Sequence, residues 1–340
     1  VHVVLINGVS ARFGGAREIL HSATMAARER GSVNYVIICP APDKLPQAEN
    51  IRYITLSLNG IFAFIFNILA IGFFAWLLRA RTIISLNNVN FIFPFFSRIT
   101  YFHQYKIISG TGIRFRLMRS AIKLGGRQEY IVQSPFVRDS FLRLFGENNE
   151  VRVRWPGVAA LEKMTSPCEE FLLWVVTDVM APQKNFPLAL EVGKLLAGNH
   201  SQAMDGVLAT SNRPENIGET TGIKFVGRQD RSGLANLYAR AAGLLVTSTE
   251  ETLGLPIFEF LQTGKPIYIA KAPYVESVFY GFSSMPKNVV IFDSAADLLT
   301  KLQPGRLEIE NSLENWMLGK DCFYSGQWDF LDESGSSIKN

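Results

Sequence analysis

Short runs rich in Val, Ile and Leu recur along the whole of this chain, and most are separated by stretches long enough for a helix. They fall at 1–7, 34–39, 81–86, 99–105, 129–134, 150–155, 171–177, 222–226, 243–247, 265–270 and 288–292. Continuous apolar strands alternating with helices predict parallel sheets covered on both faces. At 340 residues the chain exceeds one average core. The expectation is an α/β fold of two doubly wound domains with a cleft between them. Pro156 to Glu170, with its Pro, Gly, Ser and Thr, reads as a linker between a domain at 1–155 and one at 171–305. The tail over 306–340 carries Trp316, Phe323, Tyr324, Trp328 and Phe330 and is expected to pack back on the body. Ser334 to Asn340 is expected to be disordered.

The stretch Glu251-Thr252-Leu253-Gly254-Leu255-Pro256-Ile257-Phe258-Glu259 follows the strand-like Gly243–Ser248 and precedes Lys265–Ala270. Its Gly-Leu-Pro turn opens a helix, with Pro256 suited to the first helical position and Gly264 and Pro266 ending it. Backbone N–H groups at a helix N-terminus form a ready anion site. Here two carboxylates flank it, at the carboxyl end of a buried strand where open α/β sheets bind ligands. A molecule with a central diphosphate and hydroxyl-rich rings at both ends, a nucleotide sugar, matches that chemistry. Glu250 reads as a solvated neighbour.

Net charge +4 is too weak to argue for nucleic acid and fits anionic ligands or a membrane surface. Cys39, Cys168 and Cys322 are far apart, lack metal-type spacing and read as reduced cysteines of a cytosolic protein. Val1 to Asn7 reads as a buried strand with no charged n-region, so no signal peptide is expected.

Ile61 to Leu78 is almost wholly apolar, broken by Asn67 and Gly72. As a helix it reaches roughly 27 Å, close to a bilayer core. The strands on either side must share one sheet, which opposes a membrane span. Two readings remain: a helix buried between sheet and neighbours, apolar all round, or one whose outer face dips into a membrane interface. The first is preferred. Over 113–127, Arg116, Arg119, Lys123 and Arg127 fall on one helical face and Ile113, Leu117, Ala121 and Leu124 on another. Such a helix can rest on anionic lipid or be an ordinary solvated helix with its apolar side on the sheet.

Further segments complete a pattern: Gly14-Gly15-Ala16-Arg17-Glu18 after the first strand, Pro182-Gln183-Lys184-Asn185, Arg154-Trp155-Pro156-Gly157-Val158, and Gly222-Ile223-Lys224-Phe225-Val226-Gly227. With the two-Glu motif these resemble the retaining GT-B glycosyltransferases, in particular the family 4 group that builds bacterial surface polysaccharides such as O-antigen or capsule. The resemblance implies two doubly wound Rossmann-like domains and a nucleotide-sugar donor, UDP-linked. The acceptor it implies is a glycan, lipid-linked in some members. Gly14 and Gly15 match the family's glycine loop, and Lys184 its phosphate-binding lysine. Glu251 would hold donor-sugar hydroxyls and Glu259 the ribose. Lys184 and the amides at Gly254 and Leu255 would stabilise the departing diphosphate. His103, at the end of a strand, reads by itself as a core or surface histidine, whereas the resemblance implies a histidine facing the donor sugar there; Asn87 and Asn88, at the end of the preceding strand, would face the cleft. One departure stands out: Val179 occupies the position of a family arginine, so either another cation, Arg228 or Lys271, substitutes or donor binding is weaker. No Asp-x-Asp sits near a strand end, so neither a metal nor a cofactor is expected, and the retaining reaction demands no protein base. The expected location is the cytoplasm, with peripheral attachment at the inner face of the cytoplasmic membrane as a variant. A catalytically inactive subunit that binds a partner enzyme is the rival expectation.

Overall fold

A computed structural model describes residues 2–12, 14–161, 167–198, 204, 206–215, 222–302 and 313–332. Residues 334–340, expected to be disordered, lie outside the described residues, as do 162–166 of the expected linker. The chain divides into two compact units, Val1–Gly157 with Asp321–Asn340, and Val158–Lys320.

Unit 1 holds seven strands: β1 (His2–Asn7), β2 (Val33–Cys39), β3 (Ile51–Thr55), β4 (Thr82–Ser85), β5 (Ser97–Phe102), β6 (Glu129–Val132) and β7 (Glu150–Val153). They form one parallel sheet in the order β3-β2-β1-β4-β5-β6-β7. Its helices are α1 (Gly14–Arg28), α2 (Gly60–Leu77), α3 (Lys106–Ser109), α4 (Ile113–Leu124) and α5 (Pro135–Phe145). Alternation along β1 sorts the core. Val4 and Ile6 join Ile19, Leu20 and Ala23 of α1, while Leu5 joins Phe66, Ile71 and Ala75 of α2. On the α1 side the chain returns at its end: Trp328 stacks on Tyr101 at 5.5 Å, and Phe330 and Leu331 are buried beside it.

Unit 2 holds β8 (Glu169–Trp174), β9 (Gly206–Ala209), β10 (Ile223–Phe225), β11 (Ala241–Val246), β12 (Ile267–Ala270) and β13 (Val289–Phe292). These are again all parallel, in the order β10-β9-β8-β11-β12-β13. Helices α6 (Phe186–Gly198), α7 (Arg231–Arg240), α8 (Leu255–Leu261) and α9 (Val275–Val278) connect them, and α10 (Ala295–Lys301) follows β13; α11 (Lys320–Ser325) belongs to unit 1 from Asp321 on. Each sheet reverses its strand order once, between β1 and β4 in unit 1 and between β8 and β11 in unit 2. Such reversals open a crevice at the carboxyl ends of the strands. β3 and β9 lie outside the strand runs expected from the sequence.

α2 corrects one expectation. β3 before it and β4 after it do lie in one sheet, but the helix is not buried on all sides. Ala63, Asn67, Ile71 and Ala75 face the sheet, while Phe62, Leu69, Phe73, Trp76 and Leu77 face outward, Phe62 at 70% and Trp76 at 68% exposure. A sheet covers one side of a helix, and no second layer covers the other among the described residues. Asn67 explains the orientation. It sits in a π turn, Phe66–Ala70, and its Oδ1 accepts from Asn7 Nδ2 at 2.8 Å and Asn87 Nδ2 at 3.3 Å. Asn67→Leu therefore strands the buried Asn7 amide and removes one of the two bonds made by Asn87 Nδ2, which keeps Asn7 O at 2.9 Å. Urea unfolding should show a loss of about 2–4 kcal/mol, although hydropathy alone would score the change as favourable.

α4 holds a second correction. Met118, Ala121 and Ile122 face the core, whereas Ile113, Leu117 and Leu124 are exposed. Arg119 does not belong to a solvent-facing basic stripe: its Nη1 donates to Ile107 O at 2.9 Å and Gly110 O at 2.7 Å, capping α3. Arg127 lies beyond the end of the helix.

Candidate functional site

The reversal in unit 2 sets the exits of β8 and β11 side by side. After β8 the chain runs to a 3₁₀ turn, Pro182–Lys184, and Asn185 at φ 50 turns it into α6. Two bonds hold this turn against the exit of β11: Thr249 N donates to Gln183 O at 2.8 Å, and the Thr247 hydroxyl donates to Lys184 O at 2.6 Å. Lys184 Nζ consequently meets Glu251, donating to Oε1 at 2.5 Å, with both side chains about four-fifths buried. A cation and a carboxylate thus share the mouth of the crevice.

Gly254 follows in the left-handed region at φ 76, a conformation that disfavours any side chain. It caps α8, so Pro256 is the second helical residue rather than the first as the sequence suggested. α8 has seven residues. Its macrodipole is correspondingly short, and the positive potential here comes from the Leu255 N–H and the Lys184 ammonium. Further along α8, Glu259 Oε2 accepts the Tyr238 hydroxyl at 2.6 Å. Burial and the Glu259 charge push Tyr238 well above its usual range, so it stays a donor. Tyr274, after β12, is fully buried, and its hydroxyl has no hydrogen-bond partner among the described residues. Burial and the Glu251 charge raise it likewise. Sequence reasoning missed the roles of Tyr238 and Tyr274. Each looks like one more core aromatic until its hydroxyl is placed.

Val179 packs into the core of unit 2 with Trp174 and Phe186, so that position offers no cation. Arg228 is exposed after the edge strand β10. Lys271 follows β12, next to β11, with its ammonium 3.2 Å from Asp293.

Gly14, Gly15 and His103 belong to unit 1, and Lys184, Arg228, Glu251, Gly254, Leu255 and Glu259 to unit 2. Gly14, at φ 62, starts α1 beyond the end of β1, with open space where a side chain would stand. Asn87 and Asn88 use their side chains to brace strand ends: Asn87 Oδ1 accepts from Ser10 N at 3.2 Å, and Asn88 Oδ1 from His103 N at 2.7 Å. Burial pushes His103 down to about 4, so its imidazole is neutral at neutral pH.

No protein-family model matches the chain, and no curated protein matches it. Solved structures do. WaaG, a glycosyltransferase involved in lipopolysaccharide biosynthesis, is similar with a TM-score of 0.64 and 12% identity over 88% of each chain. Anabaena Alr3699/HepE in complex with UDP-glucose gives 0.63 and 14% over 88% of each chain. The lipopolysaccharide outer core galactosyltransferase WaaB gives 0.57 and 14% over 96% of this chain and 97% of its own. At these identities the likeness is one of fold.

Proposed function

We propose that this chain, which has the fold of the GT-B glycosyltransferases, is a retaining, metal-independent glycosyltransferase. Unit 2 would bind a nucleotide-sugar donor, UDP-linked, and unit 1 a glycan acceptor, lipid-linked, in the assembly of a bacterial surface polysaccharide at the cytoplasmic face of the membrane. The observation that carries this reading is the Lys184–Glu251 pair at the β8/β11 reversal, beside the Gly254–Leu255 amides. A nucleotide sugar has a partner for each half of that pair. Its diphosphate takes the ammonium and the Leu255 N–H, and its sugar hydroxyls take the Glu251 carboxylate. The HepE complexes with UDP and UDP-glucose support the choice of UDP.

In the transfer, the bond between sugar C1 and the β-phosphate oxygen breaks and its electron pair stays on that oxygen. The acceptor hydroxyl oxygen bonds to C1 on the same face, and its proton passes to the departing phosphate. Lys184 and the amides would lie where the negative charge develops and would supply what a divalent cation otherwise supplies. Glu259 would accept from the ribose hydroxyls. On unit 1, Arg116, Lys123 and Arg127 would hold α4 to anionic lipid, each worth about 1 kcal/mol near the surface.

The test is a panel of nucleotide sugars with release of free nucleotide as the readout, run with and without a chelator. Turnover with one donor, unchanged by the chelator, is the expected result. The core position of Val179 favours a second reading, an inactive subunit that regulates a partner enzyme. Absence of both binding and turnover across the panel would favour that alternative.

A further inference from the structure

We infer that one face of unit 1 is a monotopic membrane-docking surface: α2 lies flat in the interface of an anionic bilayer, with its outward apolar stripe inserted. The inference goes beyond glycosyl transfer. It rests in part on the reading of α4 above, which supplies the anionic lipid and part of the basic rim, and adds the insertion of α2.

The surface is continuous. Along α2 the exposed positions 61, 65, 69, 73 and 77 repeat every four residues, with Phe62 and Trp76 beside them. The apolar stripe therefore runs the length of the helix instead of ringing it. Phe91 closes over Gly72, where an added Cβ would lie 2.3 Å from its ring, and Ile92 N donates to Ile68 O at 3.2 Å. That contact lays Phe93 and Phe95 along the helix, stacked at 5.9 Å, with Phe95 76% exposed. α4 joins the same face. Phe64 and Ile68 of α2 pack on the cluster that holds Met118, Ala121 and Ile122, and Ile113 and Leu124 point outward at 77% and 73% exposure.

Charge selects the occupant. Between Glu49 and Glu129 the chain has ten Lys and Arg and no Asp or Glu. Exposed Arg79 and Arg81 stand beyond one end of α2, and Arg114, Arg116 and Lys123 stand among the exposed apolar residues of α4. An apolar stripe among cations with no acid matches a surface whose headgroups are anionic and whose interior is hydrocarbon. A second copy of this chain would set one basic rim against an identical one, since a twofold interface pairs a patch with itself. A transmembrane span is opposed by Asn67, bonded inward to β1, and by the shared sheet of β3 and β4.

Trp76 reports on this directly, because Trp155, Trp174, Trp316 and Trp328 are all at most 8% exposed. The full chain is floated with phosphatidylglycerol-containing vesicles at low salt and at about 0.5 M salt, where surface charge is screened within about 4 Å. Quenching by lipids brominated along the acyl chain is read in parallel. Association that partly survives salt, with Trp76 quenched from a depth of about 5–10 Å, is the expected result. The triple variant Phe62→Ser, Phe73→Ser, Trp76→Ser should lose about a hundredfold or more in vesicle affinity while keeping its circular dichroism and nucleotide affinity. The wild-type quenching decides the matter should that variant fail to fold.

Three results would overturn the inference: no association at low salt; association fully reversed by salt with Trp76 unquenched, which leaves adsorption through α4 alone; or a light-scattering mass of two chains with Trp76 shielded before lipid is added. Nucleotide binding is measured on the same sample. Its absence beside intact vesicle insertion would reject the catalytic reading and leave this one standing.

Discussion

With Lys184 at the proposed leaving-group site, Lys184→Ala should lower turnover about a hundred- to a thousandfold, the usual effect of removing one donor aimed at charge that develops in a transition state. The loss should fall mainly on kcat, because an ammonium so placed would gain most when the diphosphate acquires its full negative charge. The loss in stability should be modest. The pair with Glu251 is largely buried but keeps about a fifth of each side chain in contact with solvent, so water reaches the carboxylate left behind and the loss should lie between that of a surface pair, about 1 kcal/mol, and that of a broken buried one, about 3 kcal/mol. Nucleotide-release kinetics together with thermal unfolding check both halves. Turnover within threefold of wild type in a folded variant would place the leaving-group site elsewhere.

Glu259→Ala and Glu251→Ala should separate in opposite directions. Glu259 is proposed to hold the ribose, and charge-assisted bonds of that kind are worth roughly 10- to 100-fold in affinity for the bare nucleoside diphosphate. Tyr238→Phe removes the 2.6 Å bond that aims Glu259 and should give a smaller loss of the same sign, about three- to tenfold. Glu251→Ala instead frees Lys184 from its pair, so diphosphate affinity should rise, by roughly two- to fivefold, while sugar transfer falls. Titration calorimetry with the diphosphate reads all three. Equal losses in both glutamate variants would contradict the assignment of one to the sugar and the other to the ribose.

Eleven of the thirteen strands were legible because buried parallel strands need unbroken apolar runs. The two that were not lack that signature for different reasons. β3, Ile51–Thr55, is an edge strand paired with β2 alone, and Arg52 and Thr55 can stay exposed. β9, Gly206–Ala209, is fully buried but four residues long, and it starts at a glycine whose backbone passes close to Gly222. Apolarity made α2 visible without saying which side would be covered, since Phe and Leu serve equally on both. Asn67 was the residue that carried that information, as the one polar side chain with a reason to turn inward.

The candidate site was legible where it is local. Glu251 and Gly254 occupy one loop and Leu255 opens the helix that follows, so spacing alone could suggest an anion site with flanking carboxylates. The contact of Lys184 with Glu251 crosses 67 residues. It exists because β11 inserts beside β8 instead of beside β10, and no local pattern encodes that order. Tyr238 is hidden for the same reason: its hydroxyl reaches a carboxylate 21 residues on, through packing of α7 against α8.

Hydrogen–deuterium exchange, with and without saturating UDP, tests the location of the donor site most directly. Slower exchange confined to peptides covering 182–186 and 247–260, including the Leu255 amide, is the expected result. Unchanged exchange in those peptides at a nucleotide concentration that saturates the protein would contradict the assignment of donor binding to the β8/β11 reversal.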